Sequence, residues 1–387
     1  MAIPISYNVR NLVVRRTTTL MTAAGIALTV AVLLAVLGLS QGLKKVFAAQ
    51  GNPLHVLVLR KGGNSELTSL FTPQQFQIVK GFPGIAKGRD GQPLASLEVV
   101  TIITLANSQS PEGINITLRG ISPVGLAMRN LKLVQGEWFK PGMRQLLVGK
   151  ALAKRYEQAQ VGKQLKLRSN TWTVAGVMDG GDSAMNSEIL GDSNEIASEY
   201  NRREVYSSAL LQATDEVTAV ALKNALEGDR RLNVTALSER EYYDAQTISA
   251  RPVQILGGFV CIIMAVGSAF AAMNTMYAAV ARRAKEIGTL RVLGFSRGSI
   301  LFSFFLESIF LSLVGGVLAC LIVLPLNSVT TGIGNFITFS ETSFNFRIGP
   351  EIMAAGLVFA GLLGAVGGLL PALQASRKEI LTALREA

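Results

Sequence analysis

The sequence has few of the residues on which many enzymes and disulfide-stabilised proteins depend. Its 387 residues include one histidine, His55, two cysteines, Cys261 and Cys320, and only 16% charged side chains. A single histidine excludes histidine-based catalytic triads and histidine-rich metal sites, and two cysteines exclude a disulfide scaffold. We therefore expect no catalytic residue, metal or cofactor in this chain.

A phosphate-binding loop is also missing. The loop that cradles ATP ends in Gly-Lys followed by Ser or Thr, because the hydroxyl group binds Mg²⁺. The two Gly-Lys pairs of this sequence occur in Gly149-Lys150-Ala151 and Gly162-Lys163-Gln164. The sequence therefore predicts that this chain is not an enzyme and does not hydrolyse ATP by itself.

Apolar residues, in contrast, are abundant, at 49% of the chain with a mean hydropathy of +0.37. This composition excludes a disordered chain and is too apolar for an ordinary soluble domain. A membrane-spanning helix needs about 20 consecutive apolar residues, and residues 17–42, 252–281, 299–326 and 352–373 provide such stretches. The first stretch is too long for the apolar region of a signal peptide, so we predict four retained spans.

Basic residues are concentrated beside these spans. Eleven basic and three acidic side chains lie before span one, between spans two and three, and after span four, a net charge of +8. The basic residues are Arg10, Arg15, Arg16, Arg282, Arg283, Lys285, Arg291, Arg297, Arg377, Lys378 and Arg385. Because such residues favour the cytoplasmic side, we predict two cytoplasmic termini. Most of the total charge of +11 then reflects topology, not nucleic-acid binding.

The long segment between spans one and two, residues 43–251, is predicted to be an extracytoplasmic α+β domain, with two lobes. Alternating or clustered β-branched residues between turn residues predict strands that begin near His55, Glu98, Ile114, Gln145, Gln164 and Thr171. Helical patterns begin at Pro73 and Ala151. The flanks that begin at Gln41 and Ser238 are predicted to continue the membrane helices outward as stalks.

One acidic residue lies within a predicted span. Glu307 is roughly two turns into span three. It is either a proton or cation site of a secondary transporter, or an acid near the cytoplasmic interface that pairs with a base such as Arg10, Arg16 or Arg297. A proton relay usually needs several buried ionisable groups, and spans one, two and four contain none.

Segment 282–298 predicts a short amphipathic helix on the cytoplasmic side. Ile287, Leu290 and Leu293 recur at helical spacing as an apolar ridge, and Gly294 is a typical C-terminal stop. Charged residues occupy the other faces, namely Arg283, Lys285, Glu286 and Arg291. Such a ridge fits either a groove on a soluble partner or the membrane surface.

These residues resemble a known family. The run from Arg283 to Gly288, continued by Leu290 to Gly294, looks like the "R-x-R-E-I-G-x-x-R-A-L-G" signature of FtsX-like, MacB-type (type VII) ABC transporter permeases. Similar stretches cover the rest of the chain: Asn8–Leu28, Leu118–Ile121, Gly136–Phe139, Val161–Lys163, Val174–Val177, Gly368–Ser376 and Ala383–Arg385. Ala284 and Ile380 depart from the family pattern, which has Thr or Ser at the first position and proline at the second.

The resemblance implies a membrane protein of four transmembrane α-helices with a large α+β, MacB-type periplasmic core domain between helices 1 and 2. The implied segments are an amphipathic cytoplasmic helix (1–16), span one (17–42), the extracytoplasmic domain with its stalks (43–251), span two (252–281), a cytoplasmic coupling helix (282–298), span three (299–326), a short outer loop (327–351), span four (352–373) and a cytoplasmic tail (374–387).

The resemblance also implies partners and a mechanism. Two copies of a separate ATPase, which bind ATP and Mg²⁺, would dock on the coupling residues Arg283, Lys285, Glu286, Ile287, Gly288, Leu290, Arg291, Leu293 and Gly294. A second permease copy or a paralogue, membrane lipid and, in some systems, a periplasmic adaptor and an outer-membrane channel complete the assembly in a bacterial inner membrane. ATP-driven motion would be transmitted to the outer domain, for export or extraction of a hydrophobic, lipidic or peptide substrate.

Three alternatives stay open at this stage, and the activator of cell-wall hydrolases among them is a role known within the same family. A membrane-anchored sensor or scaffold, or an activator of cell-wall hydrolases, would share the same topology. A proton-coupled carrier would need more intramembrane ionisable groups than Glu307.

Overall fold

A computed structural model describes residues 16–49, 51–107, 110–181, 183–246, 251–335 and 338–377. The predicted N-terminal amphipathic helix, up to residue 15, and the tail beyond residue 377 lie outside these residues, as do Ile380 and Arg385. The chain divides into two compact units. We call them the helical unit, within residues 1–41, 252–329 and 346–387, and the α+β unit, within residues 42–251 and 330–345.

Helices and strands are numbered here in chain order. The helices are α1 (Arg16–Ala49), α2 (Pro73–Lys80), α3 (Pro123–Met128), α4 (Lys150–Arg155), α5 (Ser193–Glu199), α6 (Glu216–Gly228), α7 (Glu239–Gln246), α8 (Arg251–Arg282), α9 (Ala284–Val292), α10 (Arg297–Val323) and α11 (Pro350–Arg377). The strands are β1 (His55–Arg60), β2 (Ala95–Asn107), β3 (Ser110–Ile121), β4 (Lys132–Gly136), β5 (Gln145–Gly149), β6 (Gln164–Lys166), β7 (Thr171–Asp179), β8 (Glu188–Asp192), β9 (Ser208–Gln212), β10 (Val234–Ser238), β11 (Thr330–Gly334) and β12 (Glu341–Asn345).

Four helices of the described chain are long and apolar enough to cross a membrane, which confirms the four predicted spans. Their span-like stretches are Thr19–Val46 in α1, Gln254–Arg282 in α8, Arg297–Ser328 in and after α10, and Pro350–Arg377 in α11. Each stretch contains most of the predicted apolar run and extends beyond at least one of its ends, because helix continues past the purely apolar residues. In particular, α1 is one uninterrupted helix of 34 residues that ends at Ala49.

Small residues allow α10 and α11 to pack closely. A methyl group added at Gly364 would collide with Ser312, and one at Gly368 would collide with Ser308. The Ser308 hydroxyl group donates a hydrogen bond of 2.8 Å to the carbonyl oxygen of Gly364. The hydrophobic effect does not drive association between helices that are surrounded by lipid. Membrane helices therefore associate through close packing of their backbones and through hydrogen bonds from residues such as serine.

The α+β unit is organised around a sheet of ten strands in the order β10-β1-β9-β2-β3-β8-β5-β7-β4, with β6 paired to β7. All six predicted strand segments lie in this sheet, and the two predicted helical segments correspond to α2 and α4. The long strand β2 pairs with β9 on one side and with β3 on the other. It therefore joins two halves of one continuous sheet, and the whole sheet belongs to one compact unit.

Each half of the sheet has its own hydrophobic core. In one half, Trp172 and Leu146 are fully buried among side chains from β3, β5, β7 and α5. In the other half, Phe71 and Leu226 are fully buried beside β1, β9 and β10. Burial of this many large apolar side chains is the main source of stability for such a unit.

Residues 330–345 differ from the prediction of a simple outer loop. They form the β11–β12 hairpin, which belongs to the α+β unit and contacts it by polar groups. The Ser343 N–H donates to Ser187 Oγ at 2.7 Å, and Thr117 Oγ1 donates to Ser340 Oγ at 2.8 Å. Glu341 forms an ion pair with Arg155. The segment is rich in serine and threonine and therefore resembles a loop in sequence, although these side chains provide its contacts.

Candidate coupling site

The predicted short helix between spans two and three is present as α9, with Arg283 directly before it. Gly294 has a φ of +90°, a left-handed conformation that glycine adopts without strain, and it ends the helix as predicted. Two residues later, Ser296 Oγ accepts a hydrogen bond of 3.2 Å from the Ser299 N–H and caps α10. The chain thus reverses direction in a short, well-defined turn.

Arg283 connects α9 to α10. Its side chain is 3% exposed, and Nη1 donates to Glu307 Oε2 at 2.8 Å while Nε donates to Glu286 Oε2 at 2.8 Å. The guanidinium group also lies over the ring of Phe304, 4.8 Å from its centroid. Because Phe304 and Glu307 are one turn apart on α10, a single arginine side chain contacts two successive positions of that helix.

Arg283 is a partner of Glu307 that the sequence did not suggest. The Glu307 carboxylate, 10% exposed, pairs with Arg283 and not with Arg297, while Arg10 lies outside the described residues and the side chain of Arg16 is not described. Sequence spacing could not select Arg283, which is 24 positions away across the turn between two helices. Loss of one partner from such a buried ion pair lowers the stability of the protein by about 3–5 kcal/mol. This loss is larger than the one expected for a solvent-exposed pair.

The apolar ridge predicted on α9 is only partly available to a partner. Ile287 is 1% exposed and packs against Ile300, Phe304, Ala372 and Ala375 of the same unit, so its side chain is not on the exposed surface of this helix. Gly288 is also buried, and Leu290 is half-buried. A helix of nine residues must bury one side against its own unit, which hydrophobic spacing alone does not reveal.

A different set of residues remains exposed on α9 and at its end. We call Lys285, Glu286, Thr289, Val292 and Leu293 the docking face. Val292 and Leu293 are 63% and 64% exposed, and the Glu286 side chain is 51% exposed. Val292 was not among the predicted coupling residues, although its position three residues after Thr289 places it on the same face.

Arg291 contributes less to this face than its charge suggested. It is half-buried, and its Nη1 donates a weak hydrogen bond of 3.4 Å to the carbonyl oxygen of Phe295. A cation at the C-terminus of a helix interacts favourably with the helix dipole. We therefore assign Arg291 to the stability of the turn that also contains Gly294.

Comparisons with known proteins identify the family of this chain. Residues 19–229 match the MacB-like periplasmic core domain, and residues 258–380 match the FtsX-like permease C-terminal family. The chain belongs to the FtsX-like, MacB-type ABC transporter permeases. Members of this family work with a partner ATPase.

Relatives of this permease include proteins of similar length. The uncharacterized ABC transporter permease YknZ of Bacillus subtilis is 24% identical over 95% of this chain and 94% of its own length. A second, MJ1507 of Methanocaldococcus jannaschii, is 22% identical over 98% and 97%. The macrolide export ATP-binding/permease protein MacB of Pasteurella multocida is 22% identical, and the match covers 95% of this chain but 58% of that relative.

Solved structures of related outer domains are also similar to part of this permease. The extracellular domain of YknZ is 16% identical, with a TM-score of 0.36, over 47% of this chain and 99% of that domain. The periplasmic region of MacB from Actinobacillus actinomycetemcomitans is 13% identical, with a TM-score of 0.37, over 52% and 94%.

The α+β unit of the permease contains a buried charge cluster that the sequence analysis did not predict. Arg119 donates to Glu66 at 2.7 and 2.8 Å, to Glu188 at 2.8 Å and to Glu98 at 3.0 Å. Arg129 donates to both oxygens of Glu98 at 2.6 and 2.7 Å. All five side chains are less than 10% exposed, so each depends on the others for compensation of its charge.

The electrostatics of this cluster are dominated by Arg119. Burial by itself raises the pKa of Glu66, but the positive charge and the hydrogen bonds of Arg119 lower it, and the net shift is downward. In the sequence, Arg119 stands out only as part of the stretch Leu118–Ile121 that resembles the family. Its position in a strand of alternating pattern gave no sign that the charged residue points into the protein.

Proposed function

We propose that this chain is the membrane-spanning subunit of an ABC transporter and that a separate ATPase, in two copies, binds the docking face. The observation that supports this most directly is the pair Val292 and Leu293, 63% and 64% exposed beside charged residues. Apolar side chains surrounded by charges are typical anchors of protein interfaces, since the apolar groups supply affinity and the charges fix the register.

In this proposal the spans transmit motion and do not conduct the substrate. Glycine and serine contacts between α10 and α11 leave these helices closely packed, an arrangement that favours movement of whole helices over a water-filled path. The continuous helix α1 would extend about 50 Å at 1.5 Å per residue, long enough to cross the membrane and continue beyond it. A second copy of this chain or a paralogue would complete the permease.

The proposed task of the assembly lies at the outer face of the membrane. The α+β unit would be extracytoplasmic and both termini cytoplasmic, in a bacterial inner membrane. Movement of this unit would export or extract a hydrophobic, lipidic or peptide substrate that has already reached the outer face. An adaptor and an outer-membrane channel would be added in systems that export across two membranes.

Co-purification of the ATPase with a tagged chain tests the docking face. We expect Leu293→Asp to reduce co-purification by roughly 30-fold, which corresponds to the loss of about 2 kcal/mol at an interface anchor. Glu286→Lys should also reduce co-purification, because the new positive charge would face a partner surface that is complementary to a negative charge. Full recovery of the ATPase with both variants would contradict the proposal.

Val217→Asp is a matched control for Leu293→Asp. Val217 is 80% exposed on α6 of the α+β unit, so the same substitution changes surface charge without touching α9. It should leave co-purification unchanged. If Leu293→Asp retained the ATPase but released the segment from lipid, α9 would be a membrane anchor and not a docking helix.

A further inference from the structure

We propose that Arg283 is a positioning residue that passes movement of the docking helix α9 to the membrane helix α10. This inference rests on the proposed function, because it assumes that a partner moves α9. It is carried by the two hydrogen bonds of the Arg283 side chain, one to Glu286 on α9 and one to Glu307 on α10, each 2.8 Å long.

The geometry of Arg283 fixes a direction as well as a distance. Its Nε and Nη1 atoms bond two carboxylates on different helices, and its planar face lies against Phe304. A guanidinium group has a rigid, forked set of donors. Rotation or translation of α9 would therefore break these contacts unless α10 moved with it.

The three charged side chains that join α9 to α10 differ sharply in their solvent exposure. The Glu286 side chain is 51% exposed, whereas Arg283 and Glu307 are 3% and 10% exposed. A basic group of a partner can therefore approach Glu286 from the solvent, while the contact between Arg283 and Glu307 stays out of its reach. The exposed end is suited to recognition and the buried end to mechanical continuity.

The contacts of Ile287 on α9 are of a different kind. Ile287 packs among apolar side chains that include Ile300 and Ala372. Apolar contacts of this type are non-directional, so they hold α9 in place but tolerate sliding. The hydrogen-bonded arginine supplies the fixed register that transmission of a small movement requires.

The experiment compares docking with coupling in the full chain and its co-purified ATPase. Docking is the amount of ATPase recovered, and coupling is the ratio of MgATP hydrolysis rates with and without the permease. Arg283→Lys keeps the charge but not the forked set of donors, and Arg283→Gln combined with Glu307→Gln removes both charges of the ion pair between the two residues. Arg282→Gln is the control, since Arg282 is exposed and adjacent.

We expect both Arg283 variants to recover the ATPase within twofold of the wild-type amount and to lose about tenfold of the coupling ratio, with Arg282→Gln unchanged in both. Wild-type coupling in Arg283→Lys or in the double variant would overturn the proposal, as would an equal loss in Arg282→Gln. Loss of docking together with coupling would make Arg283 part of the docking surface, which also overturns it.

Two further outcomes are distinguishable. If the double variant does not reach the membrane, Arg283→Lys alone decides, because it retains the buried charge pair. Failure of the proposed function would give a different result. Either the wild-type chain would recover no ATPase, or the Leu293→Asp variant would recover as much ATPase as the wild type.

Discussion

Replacement of Arg119 by glutamine should strongly destabilise the α+β unit. Arg119 bonds three buried glutamates, and Glu66 and Glu188 would lose this ion-pair partner without it. Removal of one partner from a buried ion pair lowers the free energy of unfolding by about 3–5 kcal/mol. This is a large share of the total free energy of unfolding, which is typically about 5–15 kcal/mol. In a domain of this size, each kcal/mol of lost stability lowers the midpoint of thermal unfolding by about 2–4 °C. We therefore expect the midpoint of the variant to be lower by about 6–20 °C.

Intrinsic tryptophan fluorescence measures this effect in the full-length protein. The sequence has two tryptophans, and both Trp138 and Trp172 lie in the α+β unit. Trp172 is fully buried in its core, so its emission should shift to longer wavelength when the unit unfolds. The signal thus reports on this unit without contribution from the spans.

The pH dependence of the same variant provides a sharper test. In the wild type the pKa of Glu66 is lowered from its ordinary value of 4.5, so its contribution to stability is present above that pH and is lost as the pH falls through the lower, folded-state pKa. Without Arg119, burial remains and should raise the pKa of Glu66. The variant should therefore gain stability as the pH falls from 7 towards 5, where the wild type changes little.

Arg231→Gln is the control for this prediction, because Arg231 pairs with Asp229 on the surface with 71% of its own side chain exposed. It should leave the midpoint unchanged. A midpoint for Arg119→Gln within 2 °C of the wild type, or a loss of stability on acidification from pH 7 to 5, would refute the role assigned to the cluster.

Two further predictions concern topology and the hairpin. With both native cysteines replaced by alanine, a cysteine at the exposed Asp90 should react with an impermeant reagent in intact cells and one at Gly298 only after permeabilisation; the reverse pattern would invert the orientation. Cysteines at Thr117 and Ser340, whose hydroxyl groups are 2.8 Å apart, should form an intramolecular disulfide on mild oxidation, whereas persistent free thiols would show that the hairpin does not stay on the sheet.

The parts of the fold that the sequence predicted well are those governed by length and period. Four long apolar runs are sufficient to predict α1, α8, α10 and α11, and alternation over residues such as those of β7 is sufficient to predict strands. Gly294 ended α9 as predicted, since few other residues adopt its φ of +90° without strain.

The parts that were missed depend on contacts between residues far apart in sequence. Ile287 belongs to an apolar ridge by spacing, but only the packing of α10 and α11 determines that it is buried. Glu307 required a basic partner, and Arg10, Arg16 and Arg297 were candidates because all three were predicted at the cytoplasmic interface. Arg283 was selected by the turn between α9 and α10, which places its side chain against Phe304.

The hairpin of residues 330–345 has a consequence for biosynthesis. It completes a unit whose other strands end at Ser238, and two membrane helices, α8 and α10, are synthesised in between. At about 5–20 residues per second, the ribosome needs roughly 4–16 s to translate the 80 residues from 251 to 330. During this interval Thr117 and Ser187 lack their partners in the hairpin, so the α+β unit can reach its final state only after span three has been inserted.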